Sequence, residues 1–190
     1  MKADVTKKLI ADTFIDLVSK KSLDKISVHD ISEKCDINRK TFYYHFEDKI
    51  YLLYWIFDTY CKPLMLKTSN NNYYISTVFA NYLIENKKFY AEVFKSQTGE
   101  YLINYITELC YKSLKSELFT RLKQSPNVSE YELSILARLI AHGDVRIMID
   151  LVLDHEIYLS RPETEKLSNF VADFATNIVD FFCSSLQEKQ

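Results

Sequence analysis

Residues 31–53 read ISEKCDINRKTFYYHFEDKIYLL, and the middle of this stretch decides the fold. The thirteen positions from Ile37 hold three basic residues, two tyrosines, two phenylalanines and a histidine. At about 100° per residue, Phe42 and Phe46 lie one turn apart on a helix, while the basic and polar side chains fall opposite them or on the flanks. We predict a short helix over residues 39–45 that the two phenylalanines anchor in a core.

The residues before this helix predict a second short helix, joined to it by a tight turn. Ser27 suits the N-cap of a helix over residues 28–35, with Asp30 at the third helical position. Asp36 suits a left-handed turn, a conformation that Asp adopts more readily than most residues. Asn38 suits the N-cap of the helix that follows. Two short helices joined by about three residues form a helix-turn-helix.

The outward face of the helix over residues 39–45 has two interpretations. An α-helix fits the major groove of DNA, where Lys, Arg, Thr and Tyr side chains reach base edges and phosphates. Lys49 lies in the first turn of the next helix, whose amide groups and dipole also favour a phosphate. The alternative is a small helical domain whose tyrosines pack against a neighbouring element. The pairing of exposed tyrosines with basic residues favours DNA binding.

This stretch resembles the DNA-binding domain of the TetR family of transcription regulators, in which the pattern is roughly T-hydrophobic-Y-x-H-F-x-x-K-x-x-L-L. The matching residues are Thr41, Phe42, Tyr43, His45, Phe46, Lys49, Leu52 and Leu53. The resemblance implies a helix-turn-helix DNA-binding domain over residues 1–46, a connecting helix over 47–62 and a helical regulatory and dimerisation domain over 63–190. Two positions depart from the pattern: Asp36 replaces the usual Gly, and Cys35 replaces the usual Ala.

The resemblance also implies roles at the DNA. Ser27 would cap its helix beside the DNA backbone, and His29 occupies a position from which some family members contact a base. The residues expected at the groove are the N-cap residue Asn38 and the helix residues Arg39, Lys40, Thr41 and Tyr44. The residues expected to hold phosphates and fix the register are Tyr43, His45 and Lys49.

Composition favours an all-α fold, because only 2 Gly and 3 Pro occur in 190 residues and the turns of an all-β fold lack their usual residues. The formal charge of the chain is −2, and residues 1–50 carry ten basic against nine acidic side chains. Any DNA binding must therefore come from the local placement of charge.

Other functional classes find little support in the sequence. No Gly-rich phosphate loop, G-x-S-x-G or metal motif occurs, which argues against an enzyme and predicts no cofactor. His155 lacks a second cluster of metal ligands. The four cysteines are widely spaced, and neither a signal peptide nor an apolar run of about 18 residues is found. We expect a cytoplasmic protein with free thiols and no membrane span.

Helical patterns continue to the C-terminus, with helices expected near residues 73–96 (broken near Lys87), 100–122, 130–157 and 162–187. The last two would form a bundle shared between two subunits. The predicted interface residues are Phe170, Phe174, Ile178 and Phe181. Gly143 costs about 1 kcal/mol of helix propensity, which suggests a close helix crossing at that point.

A small-molecule effector would bind among the helices before residue 155. The candidate lining residues are Trp55, Tyr60, Tyr90, Phe94, His142 and Arg146. Such aromatic residues are more often ordinary core, and Arg146 could simply pair with Asp150 one turn away. His142 beside Arg146 would suit an anionic ligand, whereas the Phe and Tyr content suggests an apolar pocket for a hydrophobic or aromatic molecule.

The stretches YLIENKKFYAEVF and ARLIAHGDVRIMIDLVLD resemble a branch of the family that includes regulators of dihydroxyacetone-kinase genes. We expect a homodimeric regulator, a repressor rather than an activator, that binds a near-palindromic operator in double-stranded DNA and responds to a small molecule. The alternative is a DNA-tethered activator or adaptor whose C-terminal domain binds a protein partner.

Overall fold

The chain folds into a series of helices. The structure, a computed structural model, describes residues 2–66, 77–122 and 129–153, and in the C-terminal stretch Glu163, Lys166, Phe170, Asp173, Asn177, Ile178, Asp180, Phe181 and Ser184. The helices are α1 (Lys2–Val18), α2 (Val28–Lys34), α3 (Arg39–His45), α4 (Lys49–Ile56), α5 (Lys62–Leu66), α6 (Thr77–Glu85), α7 (Lys87–Lys95), α8 (Gln97–Leu122) and α9 (Glu130–Leu153). These described ranges contain no strand, and the predicted all-α fold is confirmed.

The first three helices pack around one apolar centre. α1 contacts both α2 and α3, and α2 contacts α3. Ile10, Phe14, Ile31 and Phe42 have no exposed surface there. Full burial of each such side chain stabilises the fold by about 1.5–3 kcal/mol. A 3-10 turn, Leu23–Lys25, connects α1 to α2. This packing holds α2 and α3 as a helix-turn-helix.

The connecting helix begins later than the sequence predicted. The Asp48 carboxylate caps it by accepting hydrogen bonds from the amides of Ile50 (2.7 Å) and Tyr51 (3.0 Å). Because Asp48 itself is extended, α4 begins at Lys49 rather than at residue 47.

The connecting helix changes form near its end. A π-helical turn, Phe57–Cys61, separates α4 from α5, and the amide of Lys62 bonds to the carbonyl of Phe57 five residues back. Pro63 supplies the reason: it has no N–H, and its ring would clash with the carbonyl four residues before it in a regular helix. A π turn therefore interrupts the helix just before this proline.

The remaining helices form the second half of the core. α8 packs along α9, and α7 contacts both. The predicted break near Lys87 is confirmed at Asn86, whose side-chain amide donates to the carbonyl of Tyr82 at 2.8 Å. α8 begins at Gln97, three residues before the predicted start. Buried residues form one cluster from Ile10 of α1 to Val152 of α9, so the two predicted domains share a continuous core.

The C-terminal predictions are only partly within the described residues. Described positions from Glu163 to Ser184 are helical, in line with a helix near 162–187. Phe174 and His155 lie outside the residues that the structure describes. Over the described part of the chain, no helix is long and apolar enough to cross a membrane.

Candidate DNA-binding surface and regulatory groove

Helix α2 starts with a closed capping box. The Ser27 hydroxyl accepts from the Asp30 amide (3.2 Å), and the Asp30 carboxylate accepts from the Ser27 amide (2.7 Å) and hydroxyl (2.6 Å). These bonds lower the pKa of Asp30 to about 2, so the box is intact at neutral pH. The predicted N-cap role of Ser27 is confirmed. His29 is exposed on the first turn of α2.

The turn between α2 and α3 depends on a left-handed residue. Asp36 has a φ of 53°, the one positive φ at a non-glycine residue in the described ranges. The amide of Asp36 donates a hydrogen bond to the carbonyl of Glu33 (3.1 Å), and the amide of Ile37 donates one to the carbonyl of Ser32 (3.0 Å). This bonding is a Schellman motif, which usually has Gly at the left-handed position. The predicted left-handed turn is confirmed.

Helix α3 is capped and anchored as predicted. The Asn38 side chain accepts from the amide of Lys40 at 2.9 Å. Phe42 has no exposed surface and Phe46 is 5% exposed, and their ring centroids lie 5.9 Å apart. Phe46 also packs edge-on against Trp55 of α4. Helix α3 is therefore fixed to the body of the protein by Phe42 and Phe46.

The outward face of α3 is basic and aromatic and carries no acidic residue. Arg39 and Lys40 are exposed, Tyr43 and Tyr44 are 49% and 81% exposed, and Thr41 and His45 are half-buried. The Tyr44 and His45 rings meet edge-on, with centroids 5.0 Å apart. Two exposed tyrosines beside two exposed basic residues form a contiguous surface that suits binding better than solubility.

Lys49 lies in the first turn of α4, as predicted, and its side chain makes internal contacts there. Its ammonium donates to the backbone carbonyls of Leu23 (3.1 Å) and Ile26 (3.3 Å), in the segment between α1 and α2. Burial lowers the pKa of Lys49, and the charges of Asp24 and Asp48 partly oppose that effect. The ammonium thus forms an internal clamp with two of its three donors, and the expected phosphate contact stays a prediction. The motif lysine holds the helix-turn-helix to α4.

Three of the predicted effector residues belong to the core. Tyr90 is 1% exposed, and its hydroxyl lies 2.7 Å from the thiol of Cys61 at the end of the π turn. Burial raises the pKa of Cys61 to about 12, so the thiol is neutral. Trp55 and Tyr60 pack edge-on against each other and against the core. These aromatic residues contribute to the core, and their role in an effector pocket stays a prediction.

The other three predicted residues line one surface groove of about 440 Å³ between α7, α8 and α9. Phe94, His142 and Arg146 share it with Glu100, Thr107 and several apolar residues. The Arg146 guanidinium is paired with Asp150 at 3.0 Å, which confirms the expected helical pair. The lining is a mixture of charged, polar and apolar groups rather than the predominantly aromatic pocket that composition suggested. Glu100 and Thr107 carried no sequence signal.

Apolar side chains are exposed on α9 and on the C-terminal stretch. On α9 the exposed residues with four-residue spacing are Tyr131, Ile135, Leu139 and Ile147. Gly143 belongs to the same series, and a Cβ there would meet open space. Of the predicted interface residues, Phe170 and Phe181 are 65% and 76% exposed and Ile178 is half-buried. The helix crossing expected at Gly143 is not made within the described part of this chain.

A rigid helix-turn-helix whose second helix exposes basic and aromatic residues defines the class of helix-turn-helix transcription regulators. The chain belongs to the TetR family of these regulators: the family model described as "Transcriptional regulator C-terminal region" (TetR_C_8) matches residues 70–173.

Similar proteins narrow the resemblance within the family. The HTH-type dhaKLM operon transcriptional activator DhaS of Lactococcus lactis subsp. lactis (strain IL1403) is 36% identical over 97 residues, which are 49% of this chain and 51% of that protein. That match spans about half the length of each. The solved structure of the dihydroxyacetone kinase operon activator DhaS matches with a TM-score of 0.60 and 25% identity, over 93% of this chain and 97% of that chain. The chain therefore resembles DhaS, as the two C-terminal stretches indicated.

Proposed function

We propose that this protein is a sequence-specific, homodimeric regulator that inserts α3 into the major groove of operator DNA. The observation that carries the proposal is the exposed face of α3, where Arg39, Lys40, Tyr43 and Tyr44 surround a helix anchored by buried phenylalanines. Arg and Lys supply donors to guanine and phosphate oxygens, and Tyr hydroxyls reach phosphates. Ser27, His29, Asn38, Thr41 and His45 border this face and are proposed to complete it.

The short length of α3 is the reason to propose a dimer. One seven-residue helix contacts too few base pairs for high specificity, so two copies must read two half-sites about one helical turn apart. The exposed apolar series on α9, together with Phe170, Ile178 and Phe181, is the surface we propose for a second copy. Because Gly143 has no side chain, two α9 helices could approach closely there. Phe174 is proposed for the same interface from its place in the sequence.

The sign of regulation is the point on which sequence and relatives differ. The sequence led us to expect a repressor, whereas the two similar proteins are named as activators. We therefore favour activation of a neighbouring operon, with the C-terminal helices contacting either a small molecule or a protein partner. A DNA-binding regulator of this kind works in the compartment that holds the DNA, which supports the expected cytoplasmic location.

The groove lined by Phe94, His142 and Arg146 is the effector site we propose. Its volume of about 440 Å³ is typical of small-molecule sites. Its charged and polar lining suits a small polar molecule better than the aromatic compound expected from composition. A thermal-shift screen of polar metabolites should identify molecules that stabilise the protein. Arg146→Ala should weaken their binding. Arg138 is an exposed arginine outside the groove, so Arg138→Ala should leave their binding unchanged.

The DNA-binding proposal is tested by selection of operator sequences from random duplexes, followed by gel-shift titration. We expect an enriched near-palindrome that the unmodified protein binds at least 1,000-fold more tightly than random DNA, a ratio typical of specific binders. Tyr44→Ala should weaken operator binding, whereas Tyr101→Ala, which removes an exposed tyrosine from α8, should not. Failure to enrich any sequence, or equal losses for the two variants, would refute the assignment of α3.

A further inference from the structure

Helix α8 receives part of its N-terminal cap from the DNA-binding end of the molecule. The Asp24 carboxylate accepts hydrogen bonds from the amides of Gln97 (3.1 Å) and Thr98 (3.1 Å) and from the Thr98 hydroxyl (2.8 Å). Asp24 lies in the 3-10 turn between α1 and α2, more than 70 positions earlier in the chain. One side chain therefore joins the helix-turn-helix unit directly to the longest helix of the regulatory half.

Both ends of this connection are fixed. On one side, Lys49 clamps the Asp24 turn through the carbonyls of Leu23 and Ile26. On the other side, the Ser96 hydroxyl accepts from the Gly99 amide (2.8 Å) and donates to the carbonyl of Val93 (2.7 Å). A shift of the first turn of α8 therefore strains or breaks the Asp24 bonds unless the segment that holds Asp24 shifts with it.

The same turn of α8 also borders the proposed effector groove. Gln97 and Glu100 line that groove together with Phe94, His142 and Arg146. They also line a separate polar groove of about 730 Å³ that contains Asp24 and Thr98. One helical turn thus contacts the regulatory groove on one side and the DNA-binding unit on the other.

We propose that the Asp24 cap, formed by Asp24 with Gln97 and Thr98, is a coupling element that transmits displacement between the regulatory groove and the recognition helix. This inference rests on the proposed DNA-binding function. An anion at a helix N-terminus is favoured by the helix dipole and by free amide donors, and these amides would otherwise bond to water. A ligand that moves the first turn of α8 therefore moves the turn before α2, and with it α2, α3 and the Lys49 end of α4.

The bonding also keeps the Asp24 cap charged. The Thr98 hydroxyl, followed by the two amides and the charge of Lys49, lowers the pKa of Asp24 against the opposing effect of burial. The connection is therefore complete at neutral pH and is lost only when the carboxylate protonates in acid.

The test adds operator DNA, which binds at α3, and measures hydrogen exchange at the start of α8. Operator DNA should slow exchange of the Gln97–Gly99 amides in the unmodified full-length protein by a factor of about 5 or more, the lower range of typical allosteric coupling. In Asp24→Ala this DNA-dependent slowing should fall to about 1-fold, while the slowing at α3 persists. Ser129→Ala removes a cap of α9 that involves only residues of the regulatory half and is the matched control; it should retain the full effect.

A second variant guards against a folding defect in Asp24→Ala. Thr98→Val removes one bond from the other side of the Asp24 cap and keeps both amide bonds, so it should reduce the DNA-dependent slowing only in part. The double variant should behave like Asp24→Ala, because both changes act on one interaction. Equal slowing of the Gln97–Gly99 amides in Asp24→Ala and the unmodified protein would overturn the inference. An unmodified protein that binds no DNA would instead refute the proposed function.

Discussion

Lys49 gives the sharpest test of the structure, because the sequence predicts a phosphate contact for it and the structure shows two internal hydrogen bonds. If Lys49 only binds a phosphate, its removal should leave the stability of the fold unchanged. It should also lower the magnitude of the slope of log K against log salt by about one. As a clamp, it bonds to the carbonyls of Leu23 and Ile26 at 3.1 and 3.3 Å. Lys49→Ala should then destabilise the fold and leave the salt slope of the remaining folded protein unchanged.

The size of the effect follows from the two acceptors. Hydrogen bonds to charged groups each contribute about 1.5–3 kcal/mol. The Leu23 carbonyl keeps a second donor, the amide of Ile26 at 3.1 Å, and partial burial of the ammonium opposes the gain. We therefore expect a net loss of about 1–2 kcal/mol, which corresponds to a urea midpoint lower by roughly 0.5–1 M at a slope of about 2 kcal/mol/M.

The assay is urea unfolding at one fixed protein concentration, followed by operator titration at several salt concentrations. Lys40→Ala is the matched control, because this lysine is exposed on the outward face of α3. It should leave the urea midpoint unchanged and cost about 1–3 kcal/mol at particular base pairs. A Lys49→Ala protein with unchanged stability and a salt slope reduced by one unit would refute the clamp and restore the phosphate contact.

Three further predictions concern other parts of the chain. Asp36→Gly should raise the free energy of unfolding by about 1 kcal/mol, measured by urea unfolding, because the left-handed φ of 53° strains Asp and not Gly; a loss of stability would contradict this. Burial raises the pKa of Asp144 to about 7, above its unfolded value, so stability should fall by about 1 kcal/mol between pH 6 and pH 8. Asp144→Asn should remove that fall, and a pH dependence that survives in the variant would exclude this carboxyl as its source. Phe181→Asp should convert the dimer to monomer in sedimentation at micromolar concentration by placing a charge in an apolar interface, and an unmodified protein that is already monomeric would defeat the proposed interface.

The sequence by itself determined the local architecture of the DNA-binding end. Each of its features depends on residues no more than four positions apart. These features are the Ser27–Asp30 capping box, the left-handed Asp36 and the spacing of Phe42 and Phe46. Such features depend on helix geometry and backbone preference, which a sequence specifies locally. The exposed face of α3 followed from the same periodicity, because placing the phenylalanines in the core leaves the other side chains outside.

Tertiary structure alone decided which distant groups meet. Asp24 reaches the start of α8, Lys49 turns inward to the segment after α1, and the Tyr90 hydroxyl meets the Cys61 thiol. Each contact joins positions more than 20 residues apart on different helices. Periodicity indicates which face of a helix is buried but not which helix covers it. A charged or aromatic residue that the sequence assigns to a ligand can therefore equally make a contact inside the protein.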